Sequence, residues 1–148
     1  MTVIRRLSGR QSRRGATTVE AAVVISIFLL LMLGLFEYGR FLMLQHLLVN
    51  AAREGCRYAV AHNAEADALS ATQALVKYCM FGFDAQFPDF TVQAYPTNSP
   101  GAPLGAANPD DPITVRASGT FTTMFPTLLL VPSTIPLSSS SIMTCEGN

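Results

Sequence analysis

Few positions in this chain combine the residue type and spacing that chemistry needs, and the first pair is Gly15 and Glu20. Gly15 carries no side chain, so its bond to Ala16 can lie close against another protein's active site, and it follows directly on Arg13-Arg14. Glu20 opens an apolar run. A carboxylate there is costly, by about 2.5 to 3.5 kcal/mol at a helix centre on insertion scales and less near an interface. Two readings of the acid stand side by side. With Thr17 as N-cap it completes a Thr-x-x-Glu capping box, favoured by the helix macrodipole; alternatively, it awaits a positive partner from outside the helix.

Other reactive side chains fall into no working set. His46 and His62 have no acid or cysteine at ligand spacing, so no metal site is expected and both imidazoles read as interfacial or solvent-exposed. Asn108-Pro109-Asp110-Asp111-Pro112 offers oxygen ligands but lacks the spacing and terminal acid of a calcium loop; turn chemistry explains it better. The run Ser138 to Ser141 has no Gly-x-Ser-x-Gly elbow, and no phosphate-binding loop occurs. No catalytic residue and no cofactor are expected, and the chain does not read as an enzyme.

The elements that would position Gly15 and Glu20 follow from composition. The 148 residues are 49% hydrophobic and 14% charged, against roughly 25% charged in a typical soluble domain. Length suggests about one domain. Zero net charge hides an uneven distribution: Arg5, Arg6, Arg10, Arg13 and Arg14 precede every acid, while only Arg40, Arg53, Arg57, Lys77 and Arg116 accompany the ten acids. A short cationic tail is not a basic surface, so nucleic acid is not an expected partner. From Ala21 to Phe36 there is no charge, and the apolar stretch from Ala16 to Phe36, interrupted only by Glu20, is long enough as a helix to cross roughly 30 Å of hydrocarbon. The basic leader predicts a cytoplasmic N-terminus, with everything beyond Arg40 across the membrane and Tyr38 and the Glu37/Arg40 pair at the far interface. The apolar run exceeds a secretory signal core, and Glu37, Tyr38 and Arg40 replace a small-x-small site, so a retained anchor is expected.

The helix is expected to continue towards His62-Asn63. Leu44, Leu48, Ala51, Ala52, Gly55 and Ala59 share one face, and Asn50, Arg53, Glu54 and Arg57 the other. Asn63 can cap a second helix, about 64 to 80, with Ala68, Thr72, Leu75 and Cys79 on one face and Gly82 as a stop. Strand formers then dominate 89 to 95, 112 to 123 and 134 to 144, with a Pro-rich loop from Pro96 to Pro112. The expected fold is α+β: a long N-terminal helix, its first half transmembrane, a second short helix and a small antiparallel β-sheet head. The apolar segment from Thr123 to Pro132 is too short to span a bilayer; burial against the head's helices is the plain expectation, a partner-facing or membrane-grazing loop the other. Cys56, Cys79 and Cys145 would lie on the exported side, where disulfides are permitted. Cys79 with Cys145 would tie the second helix to the last strand, and Cys56 stands on the small-residue face where alanine would serve, although spacing leaves the connectivity open.

The stretch from Arg13 to Glu20 resembles a type IV prepilin processing site. Within that class, the run from Arg13 to Tyr58, with Glu37-Tyr38-Gly39-Arg40 and Asn50-Ala51-Ala52-Arg53-Glu54-Gly55 after the apolar segment, resembles the TadE-like pseudopilins of tight-adherence (Flp, type IVb-like) pilus systems. Cys56 departs from the small residues more usual there. The resemblance implies that a membrane-embedded prepilin peptidase cuts between Gly15 and Ala16, and that the freed ammonium of Ala16 on an adjacent subunit meets Glu20 during assembly. It further implies a leader over 1–15, a transmembrane and extended pilin-like helix over 16–62 and an exported head over 63–148. The implied protein is a minor pseudopilin, single-pass in the bacterial inner membrane with the head extracytoplasmic. Its implied partners are the peptidase, other pilins and pseudopilins through the helix, the inner-membrane assembly platform and membrane lipid. A signal-anchored extracytoplasmic binding protein that never polymerises is the competing expectation.

Overall fold

The computed structural model describes residues 12–107 and 110–144, with side chains from Gly15 onward. The cationic run up to Arg10, the Asn108-Pro109 pair and Cys145, with its expected bond to Cys79, lie outside the described residues. Contacts divide the chain into two units, Met1–Phe36 and Glu37–Asn148.

The first unit is helical from Ser12, within the helix α1 (Ser12–Ala61). No proline interrupts it, and its apolar side chains are exposed on every side, among them Val24, Phe28, Leu31 and Phe36. Ser26, the one hydroxyl between Ala21 and Phe36, donates to the Ala22 carbonyl at 2.8 Å, so no polar side chain there is left without a partner. Such a segment suits lipid. By length and composition alone, the helix can cross a membrane.

The second unit begins with the rest of α1. Leu44, Leu48, Ala51, Ala52, Cys56 and Ala59 are all at most 1% exposed, while Asn50, Arg53, Glu54 and Arg57 face solvent, as the periodicity predicts. Helix α2 (Ala68–Cys79) packs alongside. It starts four residues later than Asn63 would place it: turns closed by Glu65 N to His62 O and Ala68 N to Glu65 O occupy the interval, and Asp67 takes the N-cap position without a side-chain bond. Its buried row is Ala68, Thr72 and Val76, continued by Met80, so the four-residue period displaces Leu75 and Cys79 to half-buried flanks.

Strands β1 (Thr91–Pro96), β2 (Pro112–Thr122) and β3 (Thr134–Thr144) form an antiparallel sheet in the order β1-β2-β3. Ile113, Val115, Ala117 and Phe121 alternate inward along β2 and join Val92, Ala94 and Leu137 in the core with the α1 face. This is the α+β arrangement that the strand and helix patterns predict.

Two close approaches fix how the helices meet the sheet. A Cβ on Gly55 would stand 2.4 Å from Val76 Cγ2 and 3.5 Å from Val115 Cγ1, so the missing side chain lets α1 lie against α2 and β2 together. At the next residue, Cys56 Sγ is 3.4 Å from the carbonyl oxygens of both Ile113 and Ser141. Alanine would fit that space but would leave the sulfur's place empty and make neither contact, which the spacing argument for Cys56 did not anticipate.

Candidate functional site

Gly15, Ala16 and Glu20 are consecutive features of one helix, and all are exposed. Nothing lies within 4 Å of the point where a Gly15 Cβ would stand, so the backbone there is open to an approaching protein. The capping-box reading does not hold. It needs Thr17 in a non-helical N-cap position, whereas the helix already runs from Ser12 through Gly15 and Thr17. Glu20 is thus a carboxylate on an exposed helical surface, followed by sixteen uncharged residues from Ala21 to Phe36.

A second polar cluster closes the near end of the head. Glu37, 8% exposed, accepts hydrogen bonds at Oε1 from Arg40 Nη2 and from the Met124 backbone N–H, both at 3.0 Å. The same Arg40 nitrogen donates to the Thr122 carbonyl at 2.6 Å, and its guanidinium carbon lies 4.7 Å from the centre of the Phe121 ring. Phe41 meets that ring edge-on at 5.7 Å. The two charges thus clasp α1 to the end of β2 and to the connection that follows. Their opposite signs at i, i+3 were a legible signal for the pair, but its remote partners were not.

Between β2 and β3, residues 123–133 form a loop with one helical turn, α3 (Pro126–Leu129). Burial of this segment against the head's helices, the plain expectation from its composition, is overturned: Met124 is 63% exposed, Leu128 48% and Leu130 92%. The strands it joins are paired as far as Thr122 with Thr134, so the loop projects from a closed hairpin, held to α1 by the Met124 N–H on Glu37 while these apolar side chains stay bare.

The remaining candidates stay apart. Among the described residues no three His, Cys, Asp or Glu side chains gather as a metal site would need. His62 stacks on Tyr58 at 4.1 Å and bonds through Nδ1 to the Tyr58 carbonyl, while His46 is exposed. Burial first, and then the Glu54 charge, push the Cys79 thiol up from its ordinary range, which makes it a poor nucleophile at neutral pH. Asp89 is held low because its carboxylate accepts from the Thr120 hydroxyl and backbone N–H, each at 2.6 Å.

The fold and these sites define a class: an α+β protein whose helix is bare and apolar on one side of Glu37 and built into a sheet-bearing head on the other. Residues 15–57 match the family model described as TadE-like protein, so this part of the chain is similar to that family. The match opens at Gly15 and takes in Glu20, the apolar run, the Glu37/Arg40 clasp and the buried row as far as Cys56. No curated protein and no solved structure matches the chain.

Proposed function

We infer that this chain is a membrane-anchored component of a tight-adherence pilus system, a minor pseudopilin that is processed at Gly15 and takes part in assembly through its helix. The observation that carries this reading is where the TadE-like match falls: it begins at the residue whose bond to Ala16 is the proposed cut, and it includes Glu20 and the whole uncharged run.

Hydrolysis of the Gly15–Ala16 bond by a prepilin peptidase adds water, leaves a carboxylate on Gly15 and frees the amine of Ala16, which carries a proton at neutral pH. The bond lies in a helical turn, so the peptidase must first unwind it, and glycine lowers helix stability there by about 1 kcal/mol relative to alanine. In a filament, the Ala16 ammonium of one subunit meets Glu20 of the next. Low dielectric strengthens that attraction, which sets the stagger between neighbouring helices. The cytoplasmic leader, the extracytoplasmic head and contact with the assembly platform belong to the same reading.

Mass spectrometry of the membrane-extracted protein tests it. A new N-terminus at Ala16 is expected, abolished by Gly15→Trp without loss of membrane insertion, while Glu20→Ala is cut normally but recovered in filaments at a reduced level. An intact Met1 leader on the membrane-extracted protein would instead favour a signal-anchored binding protein that never polymerises.

A further inference from the structure

The loop between β2 and β3 spends apolar residues where water gains nothing from them. Between Arg116 and Glu146 the sequence holds no charged residue, and within that stretch Phe125, Leu128, Leu130 and Val131 crowd into seven positions. All four are at least 39% exposed. Leu130, at 92%, also sits at φ 54, a left-handed conformation unusual for a branched aliphatic residue, which turns its side chain away from the head.

Two further observations say what covers it. The loop is tethered by the hydrogen bond from Met124 N–H to Glu37, and Glu37 immediately follows the last residue of the uncharged run, Phe36. Wherever that run leaves the hydrocarbon, the loop is held within a few residues of the exit. Part of the loop's backbone is also paired within the loop: Thr123 N–H donates to Ser133 O, its hydroxyl lies 2.9 Å from Pro132 O, Leu129 N–H donates to Phe125 O, Val131 N–H donates to Pro126 O, and Pro126 and Pro132 have no N–H. Bare apolar side chains on a backbone with few free N–H groups lower the cost of entering a lipid interface, where water and headgroups serve the remaining polar groups, whereas a water-exposed loop gains nothing from such side chains.

We propose that residues 123–133 are a second membrane contact, with Phe125, Leu128, Leu130 and Val131 dipping into the headgroup and upper acyl region of the leaflet that the helix leaves. This rests on the reading of Ala21 to Phe36 as the membrane span. The loop then works as an outrigger, with Glu37 and Arg40 as its strut, and holds the head against the bilayer surface.

The chain contains no tryptophan, so single substitutions report cleanly. Leu130→Trp, Leu128→Trp, Leu29→Trp and Ala66→Trp are made singly in the full chain and reconstituted into phosphatidylcholine vesicles brominated near the top or the middle of the acyl chains. Ala66 lies just beyond the C-terminal end of α1, where Cys56 meets Ile113, the opposite end of β2 from Thr122. An interfacial segment sits about 5–10 Å into the headgroup and acyl boundary, so bromine near the top should quench Leu130→Trp and Leu128→Trp at least about twofold more than Ala66→Trp. Leu29→Trp should respond to the mid-chain bromines. Quenching of Leu29→Trp with none at the loop positions would overturn the loop contact and leave the anchor standing. No quenching of Leu29→Trp would end the anchor reading and this one with it. Loop emission that is blue-shifted but unquenched, and that depends on the protein-to-lipid ratio, would assign the surface to a second copy of the chain and overturn the lipid contact.

Discussion

Glu37 shows how one carboxylate can hold three segments together. Its Oε1 meets both Arg40 and the Met124 N–H, and the two charged side chains are 10% and 22% exposed, so neither end is well served by water. Removing a single partner strands the others. Glu37→Ala is expected to destabilise the head by about 2 to 3 kcal/mol, and Glu37→Ala with Arg40→Ala by less than the sum of the two single changes, read from thermal unfolding in detergent. Asp89 is the opposite kind of acid, exposed yet bonded twice to Thr120. Its carboxyl is held below the ordinary range, so it contributes stability that is present above the unfolded pKa and lost as pH falls through the lower, folded one. Asp89→Asn should therefore flatten the acid side of the head's melting profile while leaving a smaller difference in mildly acidic solution than a buried pair would.

At the scale of elements, the helix faces and strands were legible because their periods are short and the buried residues obey them. The row from Leu44 to Ala59 and the third strand, Thr134–Thr144, sit where pattern alone places them. The start of α2 was not, since Asn63 and Asp67 are both competent caps and the turns between them are decided by tertiary packing. Nor was the exposure of the β2–β3 loop, because composition identifies an apolar segment without saying what lies beside it. Gly55 carries the sharpest prediction here. Alanine is the better helix former by about 1 kcal/mol, but its Cβ would fall 2.4 Å from a stiff valine branch, and such overpacking costs about 1–3 kcal/mol. Gly55→Ala should lower the melting temperature of the head, and Val76→Ala in the same chain should recover part of the loss. Gly39→Ala, with open space around it, should be neutral or mildly stabilising.

For the molecule as a whole, the distribution of arginine matters more than the zero net charge. Exchanging Arg5, Arg6, Arg10, Arg13 and Arg14 for serine removes every cation before Glu20 and leaves Arg40, Arg53 and Arg57 beyond the apolar run. The charge bias then reverses, and a fraction of chains should insert with the head in the cytoplasm, scored by protease protection of the C-terminal region in spheroplasts. The architecture has a temporal side as well. Ribosomes make Leu44 and Leu48 well before the strand that covers that row, Pro112–Thr122. A sticky stripe therefore waits for its lid while the residues between them are made, and a chain cut short before Ile113 would present that stripe to whatever chaperone or protease is nearest.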